Sequence, residues 1–129
     1  MLCKQISVFL ENKTGNLSDV IAMLGDAGID IQALSMADTT DFGVLRMIVS
    51  DADRAKALLS DAGITARTSE VLAIESDNRP GAFADQLRAL SQSGIAVEYM
   101  YAFHAPAGNR ATMVLRVDDM SRAKEVLGG

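Results

Sequence analysis

Tryptophan is absent from this 129-residue chain, and cysteine and histidine occur once each, as Cys3 and His104. A lone cysteine forms no intrachain disulfide, a usage that fits a reducing cytoplasm. One histidine beside one cysteine excludes most zinc sites and most acid–base schemes, which need those residue types in clusters. No metal and no cofactor is therefore expected. Basic residues number 12 against 17 acidic ones, a net charge of −5. Phosphate backbones are gripped by basic faces, so nucleic acid is not an expected partner. No apolar run reaches the roughly 18 residues of a spanning helix, and Met1 to Gln5 shows no basic-then-apolar leader, so neither membrane insertion nor secretion is expected. What remains is 49% hydrophobic, ample for a packed core.

The chain also repeats itself. Asn12-Lys13-Thr14-Gly15-Asn16-Leu17-Ser18-Asp19 returns 66 residues later as Asn78-Arg79-Pro80-Gly81-Ala82-Phe83-Ala84-Asp85. At that offset Leu24 meets Leu90, Gly28 meets Gly94, Ile29 meets Ile95 and Ile31 meets Val97. Arg54-Ala55-Lys56 returns as Arg122-Ala123-Lys124 with the offset grown to 68, which places a two-residue insertion within His104 to Asn109. Loops tolerate such changes of length. Two units follow, residues 1–69 and 70–129.

Each unit reads strand, helix, strand, strand, helix. Ile6, Val8 and Leu10 alternate with Gln5, Ser7 and Glu11, the signature of a half-buried strand. From Asn16 onward Leu17, Val20, Ile21, Leu24 and Ala27 form a 3.6-period apolar stripe, closed by Gly28. Ile29 to Ala37 and Gly43 to Ser50 read as the next strands. Ser50 is placed to cap a second helix, with Leu58, Leu59 and Ala62 on its buried side. Ile64 to Arg67 supplies a short fourth strand. The second unit repeats the order from Val71, with Pro80 near the first turn of its helix, and ends at Gly129 before a counterpart of that fourth strand. The expected class is α+β: two βαββαβ units with antiparallel sheets side by side, the second lacking its last strand.

The chemistry concentrates in the turn written twice as Asn-x-x-Gly, at Asn12 to Gly15 and Asn78 to Gly81. Glycine lets backbone approach a ligand, and the amides that follow open a helix unpaired, at the positive end of its dipole. Such a turn receives a carboxylate or phosphate. The simpler reading is that Asn12 and Asn78 cap the helices and the glycines turn the chain.

The pair Asn12-x-x-Gly15-x-Leu17 and Asn78-x-Pro80-Gly81-x-Phe83, each followed by a helix, Gly-Ile and a strand, resembles the amino-acid-binding regulatory modules called ACT domains. Phe42 to Arg46 and Glu98 to Tyr101 further resemble the stand-alone bacterial tandem ACT proteins. The resemblance implies a ferredoxin-like fold, a free amino acid bound at the interface between ACT units, and no catalysis. It carries ligand contacts to Asn12, Gly15, Leu17, Asn78, Gly81 and Phe83, and the loop positions Thr14, Asn16, Pro80 and Ala82 complete the candidate set. Many family members carry an acidic residue where Asn12 and Asn78 stand. A homodimer is expected. Within the pair of turns, the proline-stiffened second loop loses less entropy on binding, which favours the second site.

Other features have plainer readings. Asp41-Phe42-Gly43 matches a kinase tripeptide but stands without a nucleotide loop and reads as a hairpin end. Asp118-Asp119 opens a helix, Cys3 has no paired base, and Met23, Met36, Met47, Met100 and Met113 read as core filling. Two alternatives to an amino-acid sensor remain: a ligand-free dimerisation module, and a small acylphosphatase-like hydrolase using Arg79 with Asn78.

Overall fold

The computed structural model describes residues 2–11, 13–38, 42–77, 79–104 and 110–127. Two compact units emerge, Lys4–Ser69 and Glu70–Gly129, the latter joined by Met1–Cys3. The elements are β1 (Leu2–Glu11), α1 (Asn16–Asp26), β2 (Ile31–Asp38), β3 (Phe42–Val49), α2 (Ala52–Asp61), β4 (Ala66–Asp77), α3 (Ala82–Gln92), β5 (Val97–His104), β6 (Arg110–Val117) and α4 (Met120–Val126). The strands follow the order β2-β3-β1-β4-β6-β5. This is the antiparallel α+β architecture of tandem ferredoxin-like units.

In the first unit β3 pairs antiparallel with both β1 and β2. Ile6, Val8 and Leu10 face its core beside Leu45 and Met47, while Val20 and Leu24 of α1 and Ala55 and Leu59 of α2 close it. Alternation carries this outcome, since every second residue of a strand shares one face. Each such fully buried aliphatic side chain contributes about 1.5–3 kcal/mol. In the second unit β6 pairs antiparallel with β4 and β5. Leu72, Leu90, Met113 and Leu115 are its fully buried centre.

Several local expectations need correction. Ile64 to Arg67 is not a short separate strand: β4 runs twelve residues, from Ala66 through Asp77, without a break at Ser69. The chain from Glu70 supplies the end of β4, β5 and β6 to the second unit, and the first residues of β1 belong to that unit as well. Ser50 does not cap α2. Asp51 does, its carboxylate accepting from the Arg54 amide at 3.1 Å, while the Ser50 hydroxyl accepts from the Asp30 amide at 2.9 Å. A carboxylate one residue nearer the helix reaches its unpaired amides better, which frees the serine to tie the end of β3 to the approach to β2. Asp119 caps α4 in the same way, accepting from Arg122 at 3.0 Å, and Asp118 accepts from the Ala96 amide at 3.1 Å. Met47 and Met113 fill the cores, but Met36 is 41% exposed, because β2 is the outer strand of its unit. Leu17 leaves the apolar stripe of α1 and is 40% exposed. The loop 105–109, and the side chain of His104, lie outside the described residues.

Candidate functional site

Both Asn-x-x-Gly turns end in a left-handed glycine. Gly15 has φ +92° and Gly81 φ +87°, and each is the residue from which a helix starts. A side chain at such a φ is strained, which is the local reason for glycine here. Neither glycine offers a capping side chain, so the amides of Leu17 and Ser18, and of Phe83 and Ala84, face out of their helix ends. The N-cap positions are the glycines themselves. Asn12 and Asn78 themselves lie outside the described residues. Asn16 supports the first turn instead, its side-chain amide donating to the Glu11 carbonyl at 2.9 Å.

Beside the first turn lies an open cavity of about 380 Å³. The end of β1 forms one wall with Phe9, Leu10 and Glu11, and the start of α1 forms another with Asn16, Asp19 and Val20. Phe42 and the segment Gly63 to Thr65 close the remainder. The volume falls at the small end of ligand sites, which span roughly 300–1,000 Å³. Phe9 donates its amide to the Thr65 carbonyl at 3.0 Å, which fixes the α2–β4 segment against β1. Alternate amides of an antiparallel strand face the same neighbour. The Glu11 amide therefore points to the same side as that of Phe9, one step beyond Thr65.

The electrostatics are uneven. Glu11 is bridged by Lys13 at 2.8 Å, and that hydrogen bond holds its carboxyl below the usual range while raising the lysine. Asp19 has no ion-pair partner among the described residues. Thr14, Gly15 and Leu17 are exposed beside the cavity, outside its lining.

The second turn is built differently. Ala82 is buried, and Phe83 is half-buried and packs against the core of its unit. Pro80 and Gly81 are exposed. Arg79 is drawn into a local cluster, 3.2 Å from Asp85, 3.9 Å from Asp77, and donating to the Pro80 carbonyl at 3.3 Å. Arg110 adds bonds to Asp77 at 2.8 Å and to Glu75 at 3.8 Å. A guanidinium so engaged is a poor anchor for an acyl phosphate. Among the described residues, no group of three His, Cys, Asp or Glu is placed to hold a metal. Nor is any helix among them long and apolar enough to cross a membrane.

Sequence reasoning missed the cavity's far side. The sequence marks Phe42 as a hairpin end and Ile64 as part of a strand, and both line the space beside the first turn. The signal was present as two large apolar residues in segments expected to be turns or edges.

A turn–helix–strand arrangement of this kind, present twice in one chain, defines a pair of small α+β domains. The chain belongs to the ACT domain pair family, which matches residues 1–128. It is 42% identical to protein BT0572 from Bacteroides thetaiotaomicron, whose crystal structure aligns with a TM-score of 0.93 over 99% of this chain and 88% of that one. The fold is shared with the ligand-free regulatory subunit of aspartate kinase from Thermus thermophilus, at 14% identity and a TM-score of 0.68, over 99% and 95% of the two chains. The corresponding subunit from Thermus flavus aligns at 17% identity and a TM-score of 0.66, over 99% and 92%. No curated protein matches the sequence.

Proposed function

We propose that this chain is a regulatory module that binds a free amino acid and performs no catalysis of its own. The observation that carries the reading is the cavity against the first helix-opening turn. It brings backbone amides, the exposed carboxylate of Asp19 and apolar walls within one small space. Outward amides at a positive helix end suit the ligand's carboxylate, and Asp19 suits its ammonium. Thr14, Gly15, Asn16 and Leu17 are the turn that presents those amides, with Pro80, Gly81, Ala82 and Phe83 as the repeated counterpart. Asn12 and Asn78 complete the two motifs. The regulatory subunits that share the fold support this direction. A thermal-shift screen against the common amino acids tests it: a ligand at 100 times its Kd adds about 2.7 kcal/mol of stability. A screen in which no amino acid moves the midpoint contradicts the reading.

The module is also proposed to act as an isologous homodimer. Within its unit β2 is the outermost strand, and it exposes Leu34 at 52% and Met36 at 41%. An exposed strand edge bearing large apolar side chains favours pairing with another chain. Ligand binding then has an assembly equilibrium on which to act.

A further inference from the structure

Met36 is the most open methionine among the described residues. It is 41% exposed, whereas Met47 and Met113 are fully buried and Met23, Met100 and Met120 are half-buried. The β2–β3 register sets Met36 opposite Leu45 and Leu34 opposite Met47, so both project on the side of the sheet that carries the core of their unit. Because β2 is the outer strand of that unit, both side chains stay at the open margin of the core.

The end of the Met36 side chain is nonetheless seated. Its Sδ and Cε lie over Gly43, the diagonal neighbour on β3, a spacing that long side chains bridge. A Cβ at position 43 would collide with the Met36 Cε. Gly43 is buried in regular strand and is not among the glycines with positive φ. Its missing side chain therefore serves the methionine, not the backbone. The thioether thus combines a fitted methyl with a side chain open to solvent.

We propose that Met36 is a modification site: a peroxide oxidises its thioether to the sulfoxide, which leaves the Gly43 seat and loosens the outer strand. In that step a sulfur lone pair takes one oxygen atom from the O–O bond of hydrogen peroxide. The thioether is oxidised by two electrons, and the peroxide is reduced to water. The sulfoxide is polar, so it gains more from water than from the apolar margin beside Leu45. A thiol-dependent sulfoxide reductase reverses the change, oxidising two thiols to a disulfide and releasing water. The added oxygen also stands on the strand edge where a second copy is proposed to pair, so oxidation opposes that pairing. This consequence for assembly rests on the dimer reading above; the modification itself does not.

Hydrogen peroxide treatment of the full chain at about 0.1 µM, where a roughly micromolar dimer is dissociated, tests the proposal. Peptide mass spectrometry ranks the methionines, with fragment ions separating Met23 from Met36. Met36 should gain oxygen on the order of tenfold faster than Met47 and Met113. The oxidised chain should melt a few degrees lower, and sulfoxide reductase should restore the parent value. Met36→Leu should keep its melting temperature through the same treatment. Gly43→Ala, which evicts the flexible end of Met36 without touching the sulfur, should lose most of the oxidation-dependent drop. Oxidation of Met47 or Met113 as fast as Met36 overturns the proposal, and so does an equal drop in Met36→Leu and the parent. The rates in the parent alone decide the site if either variant fails to fold. At about 50 µM, a parent that pairs should lose its pairing once Met36 is oxidised, and a sulfoxide chain as dimeric as the parent overturns the link to assembly.

Discussion

Arg110 holds in the second unit the register position that Phe42 holds in the first, each opposite the acidic residue that ends the unit's first strand, Asp77 and Glu11 respectively. One exchange of this kind converts an apolar wall into a salt-bridged one, since Arg110 closes on Asp77 at 2.8 Å. The duplicated backbone is retained, and the chemistry at its two turns is not.

The glycines of α1 should respond in opposite directions. Gly15→Ala forces a Cβ onto a left-handed φ of +92° and should cost about 1–2 kcal/mol. Gly25 lies inside α1 with open space where a Cβ would stand, so Gly25→Ala should stabilise the chain by about 0.5–1 kcal/mol. Urea denaturation of both variants checks the signs. Equal effects would mean that the conformation of the turn carries no strain.

Cys3 is predicted to be an unreactive thiol. Burial pushes it above its ordinary value, an effect only partly opposed by the nearby N-terminal charge. A raised thiol pKa in the folded state means that this contribution to stability is complete below the unfolded value and is lost as pH rises through the folded one. Iodoacetamide at pH 8 should therefore label the native chain more slowly than the urea-unfolded chain. Equal rates would contradict the assignment.

Introducing like charges on β2 should separate the proposed dimer. Leu34→Lys with Met36→Lys removes two exposed apolar side chains and charges the strand edge, a device that keeps edges unpaired. Light scattering at about 50 µM, where a roughly micromolar dimer is mostly assembled, should give twice the chain mass for the parent and the chain mass for the variant. A monomeric parent would remove the dimer from the account.

Much of the fold was legible because periodicity and repetition reinforce one another. The 66-residue offset places α1 and α3, and the alternation of Ile6, Val8 and Leu10 marks the face that the helices cover. The continuity of β4 was not legible, since its two halves repeat different parts of the unit and the repeat itself suggests a break near Ser69. The assignment of a cap to Ser50 failed because serine and aspartate are both good caps and stand side by side, and register alone decides between them. At the site, the turns could be read from Gly15 and Gly81, but the cavity could not. Its walls come from β1, α1, Phe42 and the α2–β4 segment, which meet only in three dimensions. The charge cluster around Asp77 was equally hidden, because Arg110, which shares Asp77 with Arg79, is distant in sequence and is brought close by the β4–β6 register.

Amide-resolved NMR titration of the full chain with each of the common amino acids tests the central claim most directly. The account predicts, for at least one of them, saturable shifts centred on Asn16 to Asp19, on Glu11 and on Gly63 to Thr65. Shifts confined to residues outside that set with every amino acid, or none at millimolar ligand, would contradict it.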